Sequence, residues 1–253
     1  MNPFSQALLD FHSGSCDVTF TIRRDDGFCS EMPAAPFFEL GNYPTLEMRA
    51  MDECHGSVLD IGSAAGRHSL ELLRRGIKVT SLDILPEMEG IMKDRGQTDV
   101  VISDVLHFSG RRFDTLLMLM NGIGIVGSIE GLTRFLQHAH DLVDPGGQIV
   151  CDSTDVGLTT EPQHVAYRET NMASGRPAGH QAFMMEYNDE EPVRFDWLHI
   201  DFQALERISK AAGWEAILLE QKDCGHYLCK LIEKIKSEQG AAVNPLGAQE
   251  SKI

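Results

Sequence analysis

Short apolar runs alternate with longer stretches of helical spacing from Val58 onward. Val58–Ile61, Lys78–Leu82, Val100–Ser103, Phe113–Met120 and Gln148–Asp152 read as strands. Continuously apolar runs such as Phe113–Met120 fit a sheet covered on both faces. Between them the chain predicts helices. One runs from Ser69 to Arg75, closed by Gly76, and a second is opened by Pro86 and closed by Gly96. In a third, Leu132, Phe135, Leu136, Ala139, Leu142 and Val143 fall on one face, a core stripe without chemistry. Asp144-Pro145-Gly146-Gly147 is a tight turn into the fifth strand. Strands alternating with helices imply an open parallel α/β sheet.

Two regions break the alternation. Within residues 153–197, Gln181–Tyr187 and Val193–Leu198 predict an inserted hairpin around the polar Asn188–Pro192 turn. Further on, Asp201 is placed to cap a helix to Ala212, stopped by Gly213. Trp214–Leu219 and His226–Ile232 then flank a turn at Lys222-Asp223 too short for a parallel crossover, so these strands are antiparallel. Residues 1–44 show no clean periodicity. They carry turn clusters at Asp25-Asp26-Gly27 and Met32–Pro36 and aromatics at Phe28, Phe37, Phe38 and Tyr43, before a helix that Thr45 could cap and that runs to Glu53. This segment reads either as a lid or as an extension packed on the domain. The organisation is therefore 1–44 N-terminal segment, 45–235 main domain and 236–253 a Gly/Ala/Ser/Gln-rich tail expected to be disordered.

Composition narrows the partners. A formal charge of −16 over 253 residues repels phosphate backbones and anionic headgroups, so neither nucleic acid nor membrane is an expected partner. No run is apolar enough to span a bilayer, and Met1–Gln6 lacks a signal-peptide layout. Cys16, Cys29, Cys54, Cys151, Cys224 and Cys229 form no C-x-x-C pair. Cys151 reads as a buried small hydrophobe, no bridge is expected between Cys224 and Cys229, and no metal site is read. A reduced cytoplasmic protein fits. The chain says nothing of oligomeric state.

The candidate chemistry sits at Val58-Leu59-Asp60-Ile61-Gly62-Ser63-Ala64-Ala65-Gly66-Arg67. A strand ending in an acid, a small-residue turn and a helix start is a nucleotide-type cofactor site, because glycine lets the backbone lie against a ligand. A structural glycine turn is the bland alternative. A dinucleotide site needs a third glycine where Arg67 stands. A single nucleoside-type cofactor such as S-adenosylmethionine fits better. Asp83 ends the second strand, where a carboxylate can accept ribose hydroxyls, and Asp104 follows the third, where it could accept an adenine amino group while Val105 packs on the ring.

On these residues the chain, from about 45 to 232, resembles the class I S-adenosylmethionine-dependent methyltransferases. Val58–Gly66 resembles their first motif, Val79–Asp83 their second-strand acid, Ile102–Val105 their adenine-side acid and Leu142–Gly147 the turn before their fifth strand. The resemblance implies a Rossmann-like, doubly wound, mostly parallel seven-stranded sheet with an antiparallel last strand, plus the inserted β-hairpin. It also implies roles. Gly62, Ser63 and Ala64 would line the methionine part with Asp60 beside it, and Gly66 completes the motif. Asp83 would hold the ribose with Ile84 against the adenine, and Met120 and Asn121 would flank the sulfonium. Ala64 replaces the middle glycine and serves if its backbone is ordinary.

The expected reaction is direct methyl transfer to a small molecule. Asn121-Gly122-Ile123-Gly124 does not resemble the Asn-Pro-Pro-Tyr of amino-methylating nucleic-acid enzymes, and no Pro-Cys nucleophile is present. Aminopropyl transfer and a non-catalytic cofactor-binding module are the alternatives, with a dehydrogenase further off. Phe37, Phe38, Tyr187 and Trp197 are candidate pocket walls. Asp152, His107, His164, His180 and His226 are the candidate bases, and none is assigned.

Overall fold

The computed structural model describes residues 1–234, so the tail expected at 236–253 lies outside the described residues. The chain opens with α1 (Pro3–His12), whose Asn2 cap accepts a bond from the Phe4 amide at 2.9 Å and whose Pro3 suits the first turn. Strands β1 (Thr19–Arg24) and β2 (Cys29–Pro33) form a hairpin around Asp25-Asp26-Gly27. Helix α2 (Thr45–Glu53) begins at Thr45 itself, with Pro44 in the cap position.

The alternating region then follows the expected order: β3 (Ser57–Ile61), α3 (Arg67–Arg74), β4 (Lys78–Asp83), α4 (Glu87–Asp94), β5 (Val100–Ile102), β6 (Phe113–Met118), α5 (Ile129–Leu142) and β7 (Val143–Thr154). Residues before Gln148 already belong to β7, and the ladder to β6 skips from Phe113–Val143 to Thr115–Gln148 to accommodate the Pro-Gly-Gly turn. Helix α6 (Pro162–Ala173) stands where no helix was expected, because only Tyr167 and Asn171 of it are buried and no apolar stripe marks it. The inserted hairpin is β8 (His180–Glu186) and β9 (Val193–Leu198), followed by α7 (Phe202–Ala211), β10 (Trp214–Gln221) and β11 (His226–Glu233).

One sheet has seven strands in the order β10-β11-β7-β6-β3-β4-β5, parallel except that β11 runs against both neighbours. Helices cover both faces, and the side chains alternate between the two layers. Leu59, Leu116, Ile149 and Cys229 pack with α5 and α7, whereas Val58, Leu117, Val150 and Leu228 pack with α2 and Leu72 of α3. The fold is thus α/β, Rossmann-like and doubly wound.

The N-terminal segment and the hairpin, read apart in the sequence, form a single four-stranded sheet in the order β2-β1-β8-β9. β1 pairs antiparallel with β8, Ile22 opposite Met185. Helix α1 anchors this sheet: Ala7 and Leu8 share a buried cluster with Phe20 and Ile22 of β1 and with Met88, Ile91 and Met92 of α4. Among the described residues no helix is long and apolar enough to cross a membrane.

Candidate active site

The loop after β3 is tied to the end of β4. The Gly62 and Ser63 amides donate to the Leu82 carbonyl at 2.8 and 3.1 Å, and Gly66 closes the turn onto the Ser63 carbonyl at 2.7 Å. Gly62 and Gly66 have φ of +74° and +79°, which glycine adopts without penalty. Ala64 corrects the expectation of an ordinary backbone: its φ is +47°. A left-handed residue with a β-carbon costs about 1–2 kcal/mol. The offset is visible, because the Ala64 amide donates to Asp83 Oδ2 at 2.8 Å and its methyl is buried in the cluster with Met88 and Met92.

Both strand-end acids are buried. Asp60 accepts from Ser69 Oγ at 2.6 Å; Ser81 Oγ donates to Ser69, and Gln97 Nε2 to Ser81, each at 2.6 Å. Asp83 accepts from Ala64 and, through Oδ1, from the Leu85 amide at 2.9 Å. Burial raises both carboxyls above the usual range, against the hydrogen bonds they accept. Asp104 is half exposed and holds the Leu106 amide at 2.9 Å. Beside Asp83, Ile84 is 58% exposed, an apolar face open to the cavity that also exposes Asp104 and Val105. Buried carboxylates with an open apolar face alongside suit a nucleoside.

The sign of one pH effect follows. Asp83 binds its proton more tightly folded than unfolded, so its ionisation opposes folding above the raised value, and that opposition fades on acidification. Hydroxyl donors bind the charged form more strongly, because protonation turns one of its acceptor oxygens into a donor. S-Adenosylhomocysteine affinity, measured by calorimetry from pH 8 downward, is expected to fall at a pH above that of an ordinary aspartate. Flat affinity down to the ordinary range would remove Asp83 from the ribose site.

At the end of β6, Met120 and Asn121 are both left-handed, with φ of +65° and +58°. Such paired strain persists only where surroundings impose it. Here Thr154 Oγ1 donates to Asn121 Oδ1 at 2.6 Å, and the Gly122 amide donates to Asp152 Oδ1 at 3.0 Å. Asp152 Oδ2 meets His226 Nε2 at 2.8 Å. Both Asp152 oxygens are therefore engaged, and the residue holds the turn in place. Among the other base candidates, His107 is largely exposed and His180 faces Asp196 away from the cavity. His164 does line it, with Nδ1 at 3.1 Å from Arg24 Nη1.

All of these loops open into one cavity of about 930 Å³, roofed by the four-stranded sheet through Phe20, Ile22, Phe183, Met185, Phe195 and Trp197. Ten of the eleven expected cofactor residues line it: Asp60, Gly62, Ser63, Ala64, Asp83, Ile84, Asp104, Val105, Met120 and Asn121. Gly66 shapes the turn behind them. Of the expected walls, Phe37 and Trp197 line the cavity. Phe38 instead packs tilted against Phe11, ring centroids 4.8 Å apart, and the Tyr187 hydroxyl donates to Asp10 Oδ2 at 2.8 Å.

Arg67, read only as a missing glycine, is a buried pin. It donates to the Pro36 carbonyl at 2.7 Å, meets Glu47 Oε2 at 3.0 Å and lies over the Tyr43 ring at 4.6 Å; His68 Nε2 reaches the same Glu47 oxygen at 2.8 Å. The basic residues after the glycine turn, with Glu47 in the preceding helix, were the available signal. His199, also in the cavity, was not singled out.

Comparisons with known proteins agree with this geometry. The family model described as a methyltransferase domain matches residues 58–147. A crystal structure of a SAM-dependent methyltransferase from Bacteroides fragilis, in complex with S-adenosyl-L-homocysteine, is 30% identical and superposes with a TM-score of 0.82, over 92% of this chain and 95% of that one. The 1,6-didemethyltoxoflavin-N1-methyltransferase of Burkholderia thailandensis, with 1,6-didemethyltoxoflavin and S-adenosylhomocysteine bound, shares the fold at 18% identity and a TM-score of 0.50, covering 76% of this chain and 79% of that one. Demethylmenaquinone methyltransferase of Tropheryma whipplei is 27% identical over 156 residues, 57% of this chain; the match spans 61% of that protein's length. The buried acids, the glycine turn and a near full-length relative with the demethylated cofactor in place converge, and the chain belongs to the S-adenosylmethionine-dependent methyltransferases.

Proposed function

We propose that the chain transfers the methyl group of S-adenosylmethionine to a small, largely apolar acceptor enclosed between the cofactor loops and the four-stranded roof. The observation that carries this reading is the continuity of the cavity from Asp83 to Phe195. A volume of about 930 Å³ lies near the top of the roughly 300–1,000 Å³ of ordinary ligand pockets, which leaves room for an acceptor beside the cofactor. When bound, the cofactor supplies an electrophilic methyl on a sulfonium. In this reading the Gly62–Ala64 backbone and Asp60 hold its methionine part, Asp83 its ribose, and Ile84, Asp104 and Val105 its adenine. Met120 and Asn121 border the methyl. The roof excludes water and positions the acceptor, which supplies much of the rate in such a transfer. The net charge of −16 favours a small acceptor over nucleic acid.

Incubation with S-adenosylmethionine and a panel of apolar small molecules is expected to release S-adenosylhomocysteine together with a methylated product, read by mass spectrometry. Demethylmenaquinone, named for the Tropheryma relatives, belongs in the panel. Methylthioadenosine as co-product from decarboxylated cofactor would indicate aminopropyl transfer instead. Tight cofactor binding with turnover on nucleic acid or protein alone would overturn the reading.

The roof offers a sharper test. Gly124 leaves no room for a β-carbon, because the Trp197 indole lies directly against it. Gly124→Ala is expected to displace the indole and lower acceptor turnover by up to about 100-fold, the cost of a misplacement near 1 Å. Cofactor affinity by calorimetry should stay close to that of the parent. Unchanged turnover would show that Trp197 does not shape the acceptor site.

A further inference from the structure

The cavity-facing positions of β9 are Val193, Phe195 and Trp197, and the two-residue period of a strand carries that row on to His199. The neighbours of His199 fix its place. Two residues earlier, Trp197 abuts Gly124 in the turn after β6. One residue later, the Ile200 amide donates to Ser153 Oγ at 3.1 Å. Ser153 lies between Asp152, which holds Gly122, and Thr154, which holds Asn121. His199 thus enters the cavity beside the strained Met120–Asn121 turn, the end assigned above to the methyl group.

Two other imidazoles near this end are already engaged, His226 with Asp152 and His164 with Arg24. The His199 ring makes no hydrogen bond within the protein among the described residues. We propose that His199 is the general base of the transfer and that the acceptor atom is a hydroxyl oxygen on an apolar ring. This inference rests on the methyltransfer reading above and names its substrate class. The hydroxyl oxygen attacks the methyl carbon, and the O–CH3 bond forms as the S–CH3 bond breaks. The electron pair of that bond returns to sulfur, leaving the neutral thioether of S-adenosylhomocysteine. The hydroxyl proton passes to the free His199 nitrogen and from there to water.

Electrostatics fit a late proton transfer. Burial pushes His199 down to about 4, His226 and His164 push the same way, and Asp152 opposes them. The ring is therefore neutral at physiological pH and does not repel the sulfonium. So weak a base still suffices for a hydroxyl, because an oxygen gaining a methyl becomes an oxonium, far more acidic than an imidazolium. It would not suffice for a methylated alkylamine, whose ammonium holds its proton more tightly than such an imidazole. The other titratable groups lining this end are Arg24, Tyr167, Arg168 and Cys224. The charge of Arg24 is covered by Asp26, which it meets at 2.9 and 2.7 Å.

The test compares 1-naphthol with the alkylamine 1-naphthylmethylamine on the full chain. The parent protein is expected to methylate 1-naphthol on oxygen. His199→Asn should lower kcat by about 100-fold, in the range of general-base catalysis, with KM and S-adenosylhomocysteine affinity nearly unchanged. His199→Gln serves if the first variant misfolds. Independently of turnover, 1-naphthol added to the S-adenosylhomocysteine complex should shift the ring-nitrogen NMR resonances of His199. The proposal is overturned by parent-like kcat in both variants, by unmoved His199 resonances, or by preferred methylation of 1-naphthylmethylamine. A protein that binds S-adenosylmethionine but leaves 1-naphthol unmethylated overturns the hydroxyl assignment. Failure to bind S-adenosylmethionine at all overturns the cofactor reading instead.

Discussion

Glu47→Ala is expected to lower the stability of the protein by about 3–5 kcal/mol, the usual cost of removing one partner from a buried ion cluster. Glu47, Arg67 and His68 are all buried, and the single Glu47 Oε2 faces Arg67 at 3.0 Å and His68 at 2.8 Å. Deleting the carboxylate leaves a guanidinium with the Pro36 and Asn42 carbonyls at 2.7 and 3.4 Å, the Tyr43 ring and a half-exposed Glu39 carboxylate no nearer than 4.0 Å, and its Nε already lacks a partner. In a chain of this size such a loss corresponds to a melting temperature lower by roughly 6–20 °C. Burial alone would raise the Glu47 carboxyl, but His68 and Arg67 outweigh it and hold it below the ordinary range. Its contribution is therefore present at neutral pH and disappears as the pH falls through that lowered value. A melting temperature within a degree or two of the parent would show that the cluster does not hold the segment around Pro36 and Asn42 to the cofactor loop.

Asp83→Ala is expected to weaken S-adenosylhomocysteine binding by about 1–3 kcal/mol, or roughly 5- to 150-fold. The substitution removes the proposed partner of two hydroxyls. It also frees the Ala64 and Leu85 amides, so the left-handed turn at Ala64 loses the bond that offsets its strain. Asp83→Asn retains a carbonyl acceptor and should lose less. Circular dichroism separates a local loss of affinity from unfolding. Full affinity in a folded Asp83→Ala protein would refute the ribose assignment.

The parallel strands were legible because each carries apolar residues on both faces and all but β6 end at or close to a glycine or an acid. The cofactor residues were legible because they sit at those strand ends. The roof was not. In β1, alternate inward positions are Phe20, Ile22 and Arg24, and the buried arginine, sandwiched between Phe28 and Tyr167, conceals the alternation. Helix α1 did carry a signal, Asn2-Pro3 followed by apolar Phe4, Ala7, Leu8 and Phe11 at helical spacing. The pairing of β1 with β8 joins segments whose sequences bear no mark of each other. His199 lies past the end of a strand amid apolar residues, and only the register of β9 shows that it faces the cavity.

That pairing also sets an order of events during synthesis. The β1–β2 hairpin leaves the ribosome early, but its partner strand β8 is made only after the whole parallel core up to β7. Until then β1 presents an unpaired edge, a feature that invites association between nascent chains. Closing so long a loop is entropically costly, so the roof should assemble last, on a core that is already folded. A refolding chain would then recover its cofactor site before its acceptor chamber, and the four-stranded sheet would be where yield is lost when refolding is attempted at high concentration.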